Sequence, residues 1–284
     1  MSDATTWRRK VLQGLGMAAL VLALLLAAPT RALQACLFAT VLLGAWEWSK
    51  VAGLHAPLAR ALYGLVATLP GVLDAWWTGE GPLPAAVIHA MSAAWLLPLA
   101  FILACEKTSK PIPPGRELPL RAARPLVALA GLLALAPFAV VHGRILGRLE
   151  DGNLWFLLAL AIVAAVDTFG QLFGRHGTRR LVPVVSPNKT WEGLLAGLVG
   201  AALVGAVATF WNRFDLLQGA LLGFVAGGAS VVGDLTASVA KRNVPVKDFS
   251  AILGQHGGVM DRVDGHLAAA PILASFLVAM GVPI

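Results

Sequence analysis

Charge is scarce in this sequence. Only 13% of the 284 residues are Asp, Glu, Lys or Arg, against about 25% in an ordinary soluble domain. With 58% of residues hydrophobic and a mean hydropathy of +0.76, too few polar side chains remain to cover a water-facing surface. This excludes a soluble globular enzyme, a disordered tail and a collagen-like fibre. Cysteine is nearly absent: Cys36 and Cys105 are the only two, which excludes a disulfide scaffold. Both sit in or beside apolar runs, as small inert residues do. Segments of about ten residues with alternating polarity, the mark of a transmembrane barrel, are also missing. So are metal-ligand spacings among the histidines, since His55, His89 and His142 each stand alone. No basic-aromatic pattern for nucleic acid appears either.

What is present is a series of long apolar runs. A helix crossing the hydrocarbon core needs about 20 mostly apolar residues. Nine runs qualify: Val11–Ala28, Ala32–Gly53, Leu58–Trp77, Pro84–Ala104, Pro125–Ile145, Asn153–Gly174, Thr190–Trp211, Leu216–Ala240 and His266–Ile284. Backbone groups in lipid must pair within their own segment, so these runs are read as helices. The expected fold is an all-α polytopic integral membrane protein with about nine transmembrane helices. Of the 22 Lys and Arg, 18 fall on one side of this topology and only Arg31, Arg144, Arg148 and Arg213 on the other. The positive-inside rule places the rich side, and the N-terminus with it, in the cytoplasm. Most tryptophans (Trp46, Trp48, Trp76, Trp77, Trp155, Trp191 and Trp211) fall at span ends, where amphipathic rings favour the headgroup region. Trp95 is mid-span and reads as packing.

Ionisable residues within or against a span are costly and usually functional. The first half has few. Glu47, Asp74 and Glu80 read as ordinary interface or loop residues, and Glu106–Arg124 as a solvated basic linker drawn to anionic headgroups. The chain therefore divides into residues 1–150, about five spans, and residues 151–284, a catalytic membrane region.

In that second region Asp167 lies near the end of the sixth span, with Gln171 one turn on along the same helix face. The segment Ser186-Pro187-Asn188-Lys189-Thr190-Trp191-Glu192-Gly193 ends an irregular stretch and begins the seventh helix. Helix-start N–H groups beside Ser, Lys and Thr suit a phosphate. Asp234, Ser238 and Lys241 follow an i, i+4, i+7 stripe. Asp261 and Asp264 share a face if their segment is helical, and His256-Gly257-Gly258 permits close backbone approach to a ligand. Clustered aspartates need a cation between them, and Mg²⁺ takes carboxylates, waters and substrate phosphates. Interleaved basic residues would hold phosphates and neutralise charge during phosphoryl transfer. The residues alone thus imply metal-assisted chemistry on a phosphorylated substrate at the cytoplasmic membrane face.

At these positions the chain resembles the phosphatidate cytidylyltransferase family. The carrying residues are Ser238, Lys241-Arg242, Lys247-Asp248, His256-Gly257-Gly258, Asp261-Arg262 and Asp264, with Asp167-Thr168, Phe173-Gly174-Arg175 and Ser186 through Gly193 upstream. The likeness spans about residues 160–270. Two positions depart from the family pattern: Gly254-Gln255 stands where Pro-Gly is usual, and Ala237 where Glu is frequent. The resemblance implies transfer of the cytidylyl group of CTP to phosphatidate, giving CDP-diacylglycerol and pyrophosphate. A different lipid phosphate as acceptor is the alternative, with a transporter a more distant one; the transporter lacks paired half-repeats, and the charges gather at one face.

By the same resemblance, Lys241, Arg242, Lys247, Asp248, His256 and Arg262 would be catalytic. Ser186, Lys189, Thr190, Ser238, Gly257 and Gly258 would bind substrate. Asp234, Asp261, Asp264 and, more weakly, Asp167 would hold Mg²⁺. The expected setting is the cell inner membrane, among membrane lipids, as a homodimer.

Overall fold

A computed structural model describes residues 16, 19–76, 81–108, 124–207, 215–242, 244, 246–254 and 257–284. A helical stretch at residues 19–27 precedes α1 (Thr30–Val51), α2 (Pro57–Trp76), α3 (Ala85–Ala93), α4 (Leu96–Thr108), α5 (Arg124–Arg148) and α6 (Gly152–Gly174). A small hairpin of β1 (Arg180–Val182) and β2 (Ser186–Thr190) leads to α7 (Trp191–Val207), α8 (Leu216–Arg242) and α9 (Met260–Ala279). Among the described residues six helical segments are long and apolar enough to cross a bilayer: α2, α3 with α4, α5, α6, α8 and α9; α7 is a shorter apolar helix. Large apolar side chains face outward along them, Leu58 at 71% and Leu203 at 61% exposure among them. Such surfaces belong against lipid tails. The chain is a multi-pass membrane protein.

The nine expected spans map onto this order with three adjustments. Of the first, Val11–Ala28, residues 16 and 19–28 are described, and 19–27 are helical. The fourth is split in two. Pro98 cannot donate to the Ala94 carbonyl and its ring crowds that carbonyl; the Leu97 N–H takes it instead at 3.2 Å. The ninth begins at Met260 rather than His266, so the turn carrying Asp261 and Asp264 is helical and puts both on one face, as their spacing requires. The stretch before the seventh span is not irregular. It is an antiparallel pair with Arg180 opposite Thr190 and Val182 opposite Ser186.

Helices α1, α2 and α5 pack as one group and α6, α7, α8 and α9 as another, with α9 also touching α1, α3 and α5. The described Lys and Arg segregate to opposite helix ends as the charge count anticipates. Helix α8 is about 40 Å long at 1.5 Å per residue, more than the hydrocarbon thickness. Its Lys241-Arg242 end therefore stands in the headgroup layer, where two cations also suit the negative helix terminus.

At the opposite, charge-poor end one ion pair is buried. The Arg144 guanidinium donates to both Asp74 oxygens, Nη2 to Oδ1 at 2.6 Å and Nε to Oδ2 at 2.7 Å. Its Nη1 donates to the carbonyls of Gly81, at 3.0 Å, and Ile284, at 3.3 Å. Arg144 is 4% exposed. Neither residue is an ordinary interface charge: together they clamp α2 to α5 and gather two further segments.

Removing one partner of a buried ion pair leaves the other charge unpaired, at a cost of about 3–5 kcal/mol. Asp74→Asn is expected to lower the unfolding temperature in detergent markedly. The double replacement Asp74→Leu with Arg144→Leu should regain most of that loss, as read by thermal unfolding of the purified protein.

Candidate active site

The acids and bases singled out in the sequence meet at the positive-rich helix ends, in two adjoining sets. In the first, Asp167 of α6, Asp234 of α8 and Asp264 of α9 lie within electrostatic reach of one another. Like charges so placed repel, and cations stand among them. Lys189, the fourth residue of β2, is ion-paired with Asp234. Lys189 and Arg262 both attract Asp167, and Lys241 attracts Asp264. Asp264 Oδ1 also accepts the Gly265 N–H at 2.8 Å.

The second set organises the loop between α8 and α9. Lys241 Nζ donates to Asp261 Oδ1 at 2.8 Å. Asp261 Oδ2 accepts the N–H groups of Phe249 at 2.9 Å and Gly258 at 3.0 Å. Both oxygens of Asp261 are thus engaged within the protein. The Lys241 ammonium also lies 5.1 Å from the Phe249 ring centroid, and Phe249 stacks on Trp48 at 5.5 Å. Trp48 is not a headgroup-level ring as its place in the sequence suggested. It is 2% exposed and its indole N–H donates to the Val127 carbonyl at 2.8 Å.

The remaining predicted residues divide between open and enclosed positions. Ser186 and Ser238 are half-buried, as is Arg242 on the last turn of α8; Lys247, Asp248 and Arg262 are exposed. Thr190 is enclosed: its hydroxyl donates to the Gly174 carbonyl and accepts the Gly193 N–H, both at 3.2 Å, so it caps α7 and joins it to α6. Gly257, with φ of +76°, and Gly258 are both buried. The close approach made at Gly258 is to a protein carboxylate: a Cβ there would stand 2.6 Å from Glu47 Oε2. His256 lies outside the described residues. Among the described residues no three His, Cys, Asp or Glu side chains are drawn together tightly enough to enclose an ion.

Two acids read as ordinary in the sequence do structural service here. Glu47, 1% exposed near the end of α1, accepts the Ser250 hydroxyl at 2.5 Å, the Val259 N–H at 3.0 Å and the Met260 N–H at 2.6 Å. It holds the loop and supplies the negative charge that a helix start favours. Glu106 does not lie in a solvated linker. It sits on α4 and accepts the N–H groups of Val184 and Val185 at the tip of the hairpin. A two-stranded hairpin alone is marginal in water, and this anchor helps fix the strand that carries Lys189. The only sequence signal for either residue was an acid in otherwise basic or apolar surroundings.

An all-oxygen carboxylate set, ringed by lysine and arginine and opening at a membrane face, is the equipment of a membrane enzyme handling phosphates. The chain belongs to the cytidylyltransferase family, whose family model matches residues 8–280. It is 32% identical to a phosphatidate cytidylyltransferase of Haemophilus influenzae over 95% of this chain and 98% of that protein. It is also 32% identical to a phosphatidate cytidylyltransferase of Pseudomonas aeruginosa over 86% of each. One of Mycobacterium leprae is 39% identical over 51% of this chain and 47% of its own length.

Glu47→Ala orphans the Val259 and Met260 N–H groups, at about 1–3 kcal/mol for each buried donor. Amide hydrogen exchange at Val259 and Met260 should speed up in this variant while that of the α2–α5 pair is unchanged. Unchanged protection at α9's first turn would contradict the assigned role.

Proposed function

We propose that this protein transfers the cytidylyl group of CTP to phosphatidate, forming CDP-diacylglycerol and releasing pyrophosphate. One observation supports the reading within the family: carboxylates from three helices lie within electrostatic reach of one another among Lys189, Lys241 and Arg262 at the positive-rich end of the bundle. A soluble nucleotide and a lipid phosphate can both reach that level.

The chemistry asks little of a general base. A phosphate monoester is already an anionic nucleophile at neutral pH. One of its oxygens attacks the α-phosphorus of CTP in line, the bond to the β-phosphate oxygen breaks, and pyrophosphate leaves with that electron pair. The main barrier is repulsion between two anions, and positioned cations lower it. Lys189 and Lys241, each already matched to a carboxylate, are placed to exchange that partner for phosphate oxygens. Arg242, Lys247 and Arg262 line the same face. Ser186 and Ser238 offer hydroxyl donors, and the family resemblance adds Asp248 and His256 to the set.

The donor set fits Mg²⁺ by chemistry, being oxygen throughout. Asp167, Asp234 and Asp264 would hold the ion, which when bound supplies positive charge to the reacting phosphates. Asp261, whose oxygens are engaged by Lys241 and two N–H groups, is better assigned to holding Lys241 and the loop. The family resemblance supports a homodimer and an inner-membrane location.

The experiment is CDP-lipid formation by the purified protein from labelled CTP and phosphatidate in detergent. Activity should vanish with a chelator and return with Mg²⁺. Asp264→Asn should reduce kcat by about 100-fold or more, the scale of losing a preorganised charge at a reacting centre. Turnover with another lipid phosphate but not phosphatidate would reassign the acceptor, and chelator-resistant turnover would remove the metal.

A further inference from the structure

A cavity of about 360 Å³ lies between the helical stretch at residues 19–27 and helices α1, α5, α6 and α9. That volume falls within the roughly 300–1,000 Å³ of small-molecule pockets. Its wall is mostly apolar, with Leu37, Phe156 and Leu160 contributing. Two of its polar groups, Arg262 and His266, lie on the α9 side. Val259, Arg262, Val263 and His266 all line it, and their i, i+3, i+4, i+7 spacing makes them one stripe. Asp261 and Asp264 sit on a different stripe. Arg262 thus joins the two spaces, facing Asp167 electrostatically while lining the cavity mouth. His266 is one helical turn deeper, about 6 Å along the axis at 1.5 Å per residue. His142 lines the cavity from α5, its ring packed between Phe138 at 4.6 Å and Phe156 at 4.7 Å.

Both histidines are more than nine-tenths buried, His142 at 1% and His266 at 7% exposure. His142 Nε2 and His266 Nδ1 have no hydrogen-bond partner among the described residues. Buried polar atoms left unpaired are rare and costly. A neutral imidazole carries one N–H donor and one acceptor nitrogen. In the tautomer that puts the proton on the unpaired nitrogen, the group that completes the site is an acceptor embedded in hydrocarbon.

We propose that this cavity binds the diacylglycerol part of the lipid acceptor. The phosphate sits at Arg262, an ester carbonyl accepts an imidazole N–H from His266 or His142, and an acyl chain fills the apolar wall beyond. The order along α9 (guanidinium, then imidazole, then apolar wall) is the order of groups in a diacyl lipid phosphate. The assignment rests on the proposed cytidylyl transfer to such a lipid, and it adds which end of the site takes the lipid and what the lipid needs below its phosphate.

Two readouts test it, one of them independent of turnover. Phosphatidate with a diazirine in its acyl chain is photolysed with the purified protein, and labelled peptides are mapped. Label on α1 and α6 at the cavity wall, displaced by excess phosphatidate but not by phosphatidylcholine, is the expected result. Label spread over lipid-facing residues such as Leu58 and Leu62, or unaffected by phosphatidate, overturns the proposal. If the labelling succeeds while no CDP-lipid forms, the proposed reaction fails and the cavity assignment stands. In the kinetic readout, KM for the dialkyl ether analogue, which lacks ester carbonyls, should exceed that for the diacyl lipid by about fivefold, the scale of one net hydrogen bond. His266→Leu with His142→Phe should abolish that difference while KM for CTP holds. Equal KM values for ether and ester in the parent protein would overturn the ester contact.

Discussion

The site depends on one close approach. A Cβ on Gly233 would stand 2.4 Å from the Asp264 carbonyl oxygen, so α8 and α9 touch backbone to backbone there. Membrane helices gain little from hydrophobic association and rely on packing, which small residues permit. The contact falls beside Asp234 and at Asp264 itself, so it sets how far apart those two carboxylates emerge. Everything else at this end follows from having to live with that spacing. The acids repel, Lys189 and Lys241 are drawn in, and each of these cations needs a segment to carry it. The hairpin carries the first and the C-terminal end of α8 the second.

The two ends of the bundle use charge differently. At the charge-poor end, Asp74 and Arg144 match each other with two hydrogen bonds and are closed off. At the positive-rich end the pair of Lys189 and Asp234 is matched but partly open, each more than a quarter exposed. A pair that is matched and half-open can exchange one partner for a substrate phosphate. Supporting acids, Glu47 and Glu106, are spent on backbone N–H groups, which fixes the loop and the hairpin.

Much of this was legible in the sequence because membrane folding writes in long runs and sparse charges. Apolar runs of about 20 residues located the spans. The i, i+3 spacing of Asp261 and Asp264 and the stripe from Asp234 to Lys241 described real helix faces. What was not legible was contact between distant segments. Glu47 meets Val259 and Met260 across more than 200 residues, and nothing local marks an acid as a cap for another helix. Asp74 looked like an interface residue because its partner is on another helix. Thr190 and Gly258 carried the right letters for substrate contact but are taken up by the protein itself. The hairpin was hidden because proline and valine around a short turn do not form a long periodic pattern.

The most direct measurement is kcat for Gly233→Ala, in CDP-lipid formation at saturating Mg²⁺, CTP and phosphatidate. One methyl there must push α8 from α9 and so change the spacing of Asp234 and Asp264. A loss of about 100-fold, the scale on which an ångström of misplacement acts, with the protein still extracted folded from the membrane, is the predicted result. A kcat within about twofold of the parent, a difference well under 1 kcal/mol, would contradict the view that this backbone contact sets the catalytic spacing.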